Sequence, residues 1–274
     1  MYHGVVHLKD HYDLPYDPIL EFFVPKVDQM TERPGILICP GGGYSWCSHR
    51  EGDPIALHFL ARNYRAFVLY YTVKPEVGDK TLYPLPQLDA LAALDYIKKH
   101  AEEFHLIPEK IAIIGFSAGG HLAASIGLNS NNKKLQKQLG LENADLTPAA
   151  VALGYPVIDL GEETHQGTSD ALVSGDPTLI ETLSVNRVAD ETYPPTFIWT
   201  TDDDGCVPSS NSKRLAERLT EVGVKNKLIV YPHGNHGLAT AFEDTCPIGW
   251  RTYTDIQGWF GECDSFLREV FQLD

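Results

Sequence analysis

Apolar and polar positions along this chain fall into two alternating rhythms. Residues 35–39, 66–71, 111–114, 149–155 and 196–200 form short runs that are apolar or nearly so throughout, and 227–231 is a sixth run of this kind. Between them the apolar positions recur every three or four residues. Asp53-Pro54 opens a helix with Ile55, Ala56, Phe59 and Leu60 on one face: the aspartate can cap it and proline suits the first turn. Further helices are predicted over 86–103, 208–222 and 255–272. Two shorter runs near the start, 4–9 and 18–24, read as an antiparallel edge. Strands that are apolar on both faces and alternate with amphipathic helices predict an α/β fold: a mostly parallel central sheet with helices on both faces. The span 1–274 reads as a single domain. Residues 130–148 are polar and irregular, with room for one short helix. Residues 156–195 do not fit the alternation. They are rich in Gly, Thr, Ser and Asp and too long for a simple connection, so they read as a small cap inserted beside the carboxyl end of the sheet.

Composition changes this picture little but removes alternatives. A hydrophobic share of 43% is enough for a normal core, and a net charge of −15 with no basic cluster argues against nucleic acid or anionic membrane as a partner. Five cysteines without C-x-x-C spacing predict neither a disulfide framework nor a zinc site. The eleven histidines show no ligand spacing either, so no metal and no organic cofactor is expected. The N-terminal residues lack a cationic start followed by a long apolar run, and no stretch is long enough to span a bilayer, so a cytoplasmic location is expected.

The candidate chemistry centres on Gly115-Phe116-Ser117-Ala118-Gly119, which follows an apolar run and leads into small residues at helical spacing. This is a strand, a sharp turn and a helix with a serine at the apex, and only small neighbours let the helix start so close to the strand. A serine hydroxyl is a weak nucleophile at neutral pH and needs a base, which in turn needs an orienting carboxylate. For a serine in this setting both come from later in the chain, carboxylate first. Thr200-Thr201-Asp202-Asp203-Asp204-Gly205-Cys206-Val207-Pro208 follows one strand, and Asp204 is preferred over Asp203 because D-x-x-V-P places it on the turn before the next helix. Asp202 and Asp203 are expected to cap turns or face solvent. Tyr231-Pro232-His233-Gly234-Asn235-His236-Gly237 follows the last strand. His236, deeper in the loop, is preferred over His233 as the base. His121 is close to Ser117 in sequence but lies on the helix the serine opens, and a structural role is expected for it. The negative oxygen of a tetrahedral intermediate needs aimed amides. The Ala118 N–H is one, and the glycine loop Pro40-Gly41-Gly42-Gly43-Tyr44 supplies Gly42 and Gly43. A phosphate-binding reading of that loop lacks the required G-x-G-x-x-G or Lys-Ser/Thr pattern. Tyr44 and Trp46 are candidates for the site wall or for the core.

Taken together, Cys39-Pro40-Gly41-Gly42-Gly43-Tyr44-Ser45, Arg50-Glu51-Gly52-Asp53-Pro54, Gly115-Phe116-Ser117-Ala118-Gly119-Gly120-His121, Asp204-Gly205-Cys206-Val207-Pro208 and Asn235-His236-Gly237-Leu238 resemble bacterial esterases related to hormone-sensitive lipase. Within them the chain is most similar to the acetylesterase and feruloyl-esterase-like subgroup often labelled as xylan esterases. The resemblance runs from about residue 18 onward. It implies an α/β-hydrolase fold and a small-molecule ester substrate carrying a short acyl group, with a link to acetylated carbohydrates. It also implies Ser117 as nucleophile, Asp204 as orienting acid and His236 as base. One departure is Pro40, which stands where such relatives carry a histidine before the three glycines. A xylanase activity is not expected, because glycoside hydrolysis needs a carboxylate pair flanking the sugar bond and nothing here points to one. Alternatives are an arylformamidase-like amidase of the same fold and a non-catalytic binding protein. A homodimer or higher homo-oligomer is the default expectation for such an enzyme.

Overall fold

The six predicted core strands lie side by side because each is apolar on both faces. The computed structural model describes residues 1–26, 31–247 and 253–273. Its eight-stranded sheet has the order β1-β2-β4-β3-β5-β6-β7-β8. The strands are β1 (Tyr2–His7), β2 (Ile19–Val24), β3 (Arg33–Cys39), β4 (Arg65–Tyr70), β5 (Leu106–Phe116), β6 (Ala150–Gly154), β7 (Thr196–Thr201) and β8 (Asn226–Tyr231). All neighbouring pairs from β4 to β8 are parallel, and β2 runs antiparallel to both β1 and β4. The predicted α/β architecture with an antiparallel edge is therefore present.

Successive side chains of a strand point to opposite faces. Leu37, Ile113, Val151 and Ile198 accordingly pack on one side, under the helices Leu85–Lys99, Ser117–Asn129 and Ser210–Glu221. Their neighbours Ile36, Ile38, Ile114, Ala152 and Trp199 pack on the other, under Asp53–Leu60 and Trp259–Phe271. Both faces are covered, which is why these strands read as unbroken apolar runs rather than alternating ones.

The differences from expectation are mostly at boundaries. The first strand ends at His7, and Leu8–Asp10 form a 3-10 turn. The helix predicted over 86–103 is two, Leu85–Lys99 and Ala101–Phe104, broken at His100. The C-terminal helix begins at Trp259 after a 3-10 turn, Ile256–Gly258. β5 starts five residues before its apolar run. Leu106 pairs with Arg33 and Ile111 with Gly35 across an irregularity, and Pro108-Glu109-Lys110 between them interrupt the apolar run although the strand continues. Residues 156–195 hold three short helices, Gln166–Val173, Pro177–Leu183 and Val185–Val188. Asp176 caps the second by accepting from the amides of Thr178 and Leu179. Helices this short offer few periodic positions, so the segment did not fit the alternation of strands and helices.

Strand order decides where the chemistry sits. β3 lies between β4 and β5, so the chain leaves β3 toward one edge and later returns to its other side. Loops at the carboxyl ends of strands flanking such a switch diverge and leave a crevice. The loop after β3 and the turn after β5 therefore face each other, with Cys39 opposite Gly115 in register.

Candidate active site

Ser117 sits at the apex of the turn after β5 with φ +53°, in the left-handed region that a non-glycine residue rarely adopts. The strain is held by close packing on either side. A Cβ on Gly115 would lie 2.0 Å from the Gly119 carbonyl oxygen, and one on Gly119 would lie 2.2 Å from the Cys39 and Pro40 oxygens. Strand, helix and glycine loop can approach only because these two positions lack side chains.

His236 reaches the serine from far across the sheet. β8 lies three strand spacings from β5, about 14 Å, and the loop after Tyr231 crosses that distance. The His236 Nε2 is 2.8 Å from Ser117 Oγ, and its Nδ1 is 2.7 Å from Asp204 Oδ2. The second Asp204 oxygen accepts from the amides of Cys206 and Val207, at 2.8 and 2.9 Å. The Asp204 side chain is fully buried and that of His236 is 19% exposed. An acceptor-only carboxylate at Nδ1 means that the imidazole carries its proton there and presents Nε2 as an acceptor for the serine hydroxyl. The Tyr155 ring packs edge-on against the imidazole at 5.0 Å.

The three adjacent aspartates have three different surroundings. Asp202 is half-exposed, pairs with Lys213 at 2.7 Å and accepts from Ser209 Oγ. Asp203 accepts from the Gly234 amide and faces His233 at 3.3 Å, both at the outside of the loop. Only Asp204 meets His236 among the described residues.

The orientation of the glycine amides follows from what holds their carbonyls. In a trans peptide the C=O and the following N–H point in opposite directions. The Gly41 carbonyl accepts from the Ser48 amide at 2.9 Å, which turns the Gly42 N–H the other way. The Gly42 carbonyl accepts from Ser45 and Trp46, which does the same for the Gly43 N–H. Gly42 and Gly43 have φ +129° and +64°, conformations that glycine adopts without cost. The Ala118 N–H lies in the first turn of the helix Ser117–Asn129, where amides have no partner within the helix. Among the described residues none of these three amides donates to the protein. Open donors of this kind, at a glycine turn and at a helix N-terminus, are able to stabilise a negative oxygen.

Sequence singled out several neighbours whose positions are now clear. Tyr44 is fully buried, whereas Trp46 is 57% exposed at the rim. His121 is fully buried and serves as a tie: its Nδ1 accepts from the Tyr44 hydroxyl at 2.9 Å and its Nε2 donates to the Leu183 carbonyl at 2.9 Å. It thus joins the glycine loop to the 156–195 segment and makes no contact with Ser117 Oγ. Burial pushes its pKa down to about 4. Below about pH 6.5 the unfolded chain takes up a proton that the folded chain refuses. Stability from this group is therefore whole above that pH and declines as pH falls toward 4. Urea midpoints should drop between pH 7 and pH 4.5, and less so in His121→Gln, whose amide can still accept from Tyr44 and donate to Leu183. Parallel curves for the two proteins would remove His121 as the cause.

Other residues near the site carried no role in the sequence reading. Val157 donates its amide to the Ser117 carbonyl at 3.1 Å. The His165 ring lies close to Gly43, with Cε1 3.6 Å from where a Cβ there would be. Burial lowers its pKa. Glu51 and Arg50 reach two loops of the site. The signal for them was a charged pair directly downstream of a glycine loop, but their partners lie too far away in sequence to be guessed. Among the described residues no group of three or more His, Cys, Asp or Glu is placed to hold a metal ion, and no helix is long and apolar enough to cross a membrane.

The arrangement has counterparts in known proteins. The BD-FAE family model matches residues 20–219. Endo-1,4-beta-xylanase B of Butyrivibrio fibrisolvens is 34% identical over 88% of this chain, and the chain spans 38% of that relative's length. The acetyl ester-xyloside bifunctional hydrolase from Caldicellulosiruptor lactoaceticus superposes with a TM-score of 0.81 at 33% identity, covering 96% of this chain and 91% of that one. The carboxylesterase Cest-2923 from Lactobacillus plantarum WCFS1 superposes with a TM-score of 0.86 at 26% identity, covering 100% and 98%.

Proposed function

The chain belongs to the BD-FAE family, and from that premise we propose that it is a serine carboxylesterase that removes short acyl groups, acetyl above all, from small acetylated carbohydrates. The observation that carries this reading is the unbroken line Ser117 Oγ–His236 Nε2 and His236 Nδ1–Asp204. In the reading, Ser117 Oγ attacks the ester carbonyl and its proton passes to His236 Nε2. The carbonyl oxygen becomes an anion and is held by the N–H groups of Ala118, Gly42 and Gly43. Collapse of this intermediate expels the alcohol, which takes the proton back from His236 and leaves an acyl-serine. Water then attacks that acyl group with His236 again as base, and the acid leaves. Asp204 stays ionised throughout and keeps the imidazole oriented.

The preference for a short acyl group and a sugar alcohol is supported by the acetyl ester-xyloside hydrolase among the structural neighbours. The 156–195 segment is read as a cap beside the site. Its amide from Val157, its imidazole from His165 and its tie to His121 support that reading.

An ester panel tests the reading. Acetyl and propionyl esters of one chromogenic alcohol should be cleaved, and the octanoyl ester at least about tenfold more slowly. Acetylated xylo-oligosaccharides should release acetate. A folded protein that cleaves no ester would end the reading. A faster rate on an N-formyl arylamine than on the acetyl ester would favour the amidase alternative.

A further inference from the structure

The segment between the glycine loop and the first helix, Ser48–Gly52, has no role in the chemistry above, yet it touches both halves of the site. Glu51 is 3% exposed. Its Oε2 accepts from the Gly41 amide at 2.8 Å, and its Oε1 accepts from the Tyr155 hydroxyl at 2.8 Å. The Tyr155 oxygen in turn accepts from the Ala239 amide, three residues beyond His236, at 2.8 Å. Burial, with Glu51 beside it, raises the Tyr155 phenol well above its ordinary range, so the phenol keeps its proton and can donate. One residue earlier, Arg50 Nη2 donates to the Gly237 carbonyl at 3.0 Å and Nη1 to the Thr245 carbonyl at 2.7 Å. The line Gly41–Glu51–Tyr155–Ala239 therefore runs from the glycine loop to the histidine loop through side chains 104 residues apart.

A buried carboxylate is costly unless each oxygen has a donor. An apolar side chain of similar volume would fill this place without that cost, but it would strand the Gly41 amide and the Tyr155 hydroxyl. The two loops also have reason to need a tie. Pro40 has neither an N–H nor a polar side chain with which to brace the glycine turn. The histidine loop is a long crossing from β8, and its own strand cannot fix its far end.

We propose that Glu51 is a positioning residue of the ester-hydrolysing site. Its carboxylate locks the Gly41 peptide to the loop that carries His236, so that the Gly42 and Gly43 amides and the imidazole keep one common geometry around Ser117. Arg50 supports the same joint at Gly237. Glu51 touches neither substrate nor reacting atoms; it acts through the groups it holds. The proposal rests on the esterase reading above.

The distinguishing measurement is Glu51→Gln, in which an amide NH₂ must face one of the two donors. Misplacement of this kind costs on the order of 100-fold when the chemistry itself is untouched. The variant should show kcat on acetyl esters down by about 10- to 100-fold, with KM within about threefold. A trifluoromethyl ketone that adds to the serine as a tetrahedral adduct should weaken by the same factor as kcat/KM, while acetate inhibition stays unchanged. A residue that only holds the fold together would lower the melting point and leave this split unmoved in the folded fraction. Should Glu51→Gln fail to fold, Tyr155→Phe decides, with about a tenfold loss expected by the same measures. A folded variant with wild-type kcat and ketone affinity overturns the role of Glu51 while the esterase reading stands. So does a change confined to KM. A folded wild type with no esterase activity overturns both.

Discussion

Ser117→Ala is expected to lower kcat on acetyl esters by on the order of a million-fold, and to leave nothing for a fluorophosphonate to label. The size follows from the site working as a unit. Without Oγ there is no acyl-serine, and His236 and Asp204 have no proton to move. What remains is whatever the three amides do for direct attack by water, a background of about 10³–10⁴ over the uncatalysed reaction. The substitution should not disturb the fold. Alanine keeps the Cβ, and the strain at φ +53° is borne by the same packing of Gly115 and Gly119 that bears it in the wild type. The loss can therefore be read at unchanged melting temperature, with intact-mass spectrometry counting the label. Labelling that persists in the folded variant, or activity within tenfold of wild type, would place the nucleophile elsewhere.

Asp204→Asn is expected to cost about 10⁴-fold in kcat, and the bonds on the far side of the residue say why. One Asp204 oxygen is occupied by the amides of Cys206 and Val207. An asparagine must offer its own oxygen to those donors, which turns its NH₂ toward His236 Nδ1. The imidazole can then only accept at Nδ1, so its proton moves to Nε2, the atom that has to take the proton from Ser117. The base is blocked by the wrong tautomer with its position unchanged. Asp202→Asn loses an exposed pair with Lys213, and such pairs contribute little; its kcat should stay within about threefold of wild type. Asp203→Asn loosens the Gly234 amide at the base of the loop and should fall between the two. If Asp202→Asn or Asp203→Asn proves the more damaging, Asp204 is not the orienting acid.

These two predictions differ in what the sequence could supply for them. Ser117 was legible because the turn that lifts it needs small residues at fixed neighbouring positions, and that demand is written locally in Gly115 and Gly119. Asp204 among three aspartates was a choice made on spacing alone. What separates the three in space is which of them finds two backbone donors and an imidazole, and which finds Lys213 or solvent instead. His236 and His233 divide in the same way: one turns inward to the serine, and the other meets Asp203 at the rim.

The same boundary runs through the fold. Apolar runs covered on both faces specify strands and their alternation with helices, because burial on each face constrains every residue of the run. That is why six core strands and five of the helices were readable, with boundaries off by up to five residues. A strand whose apolar run is interrupted, as by Pro108-Glu109-Lys110 in β5, and helices of four to eight residues, as throughout 156–195, left no such pattern.

By itself, then, the sequence determined the α/β layering, the serine at its apex, the glycine loop and the order in which carboxylate and histidine follow. Each of these depends on local backbone demands or on periodic burial, which neighbouring residues encode. Only the tertiary structure decided which aspartate faces the imidazole, that His121 ties Tyr44 to Leu183, and that Glu51 and Tyr155 span the two loops. Those pairings join residues from 32 to 104 positions apart. They depend on the strand order, which brings the loops after β3, β5, β6, β7 and β8 to one end of the sheet and which no short stretch of the chain contains.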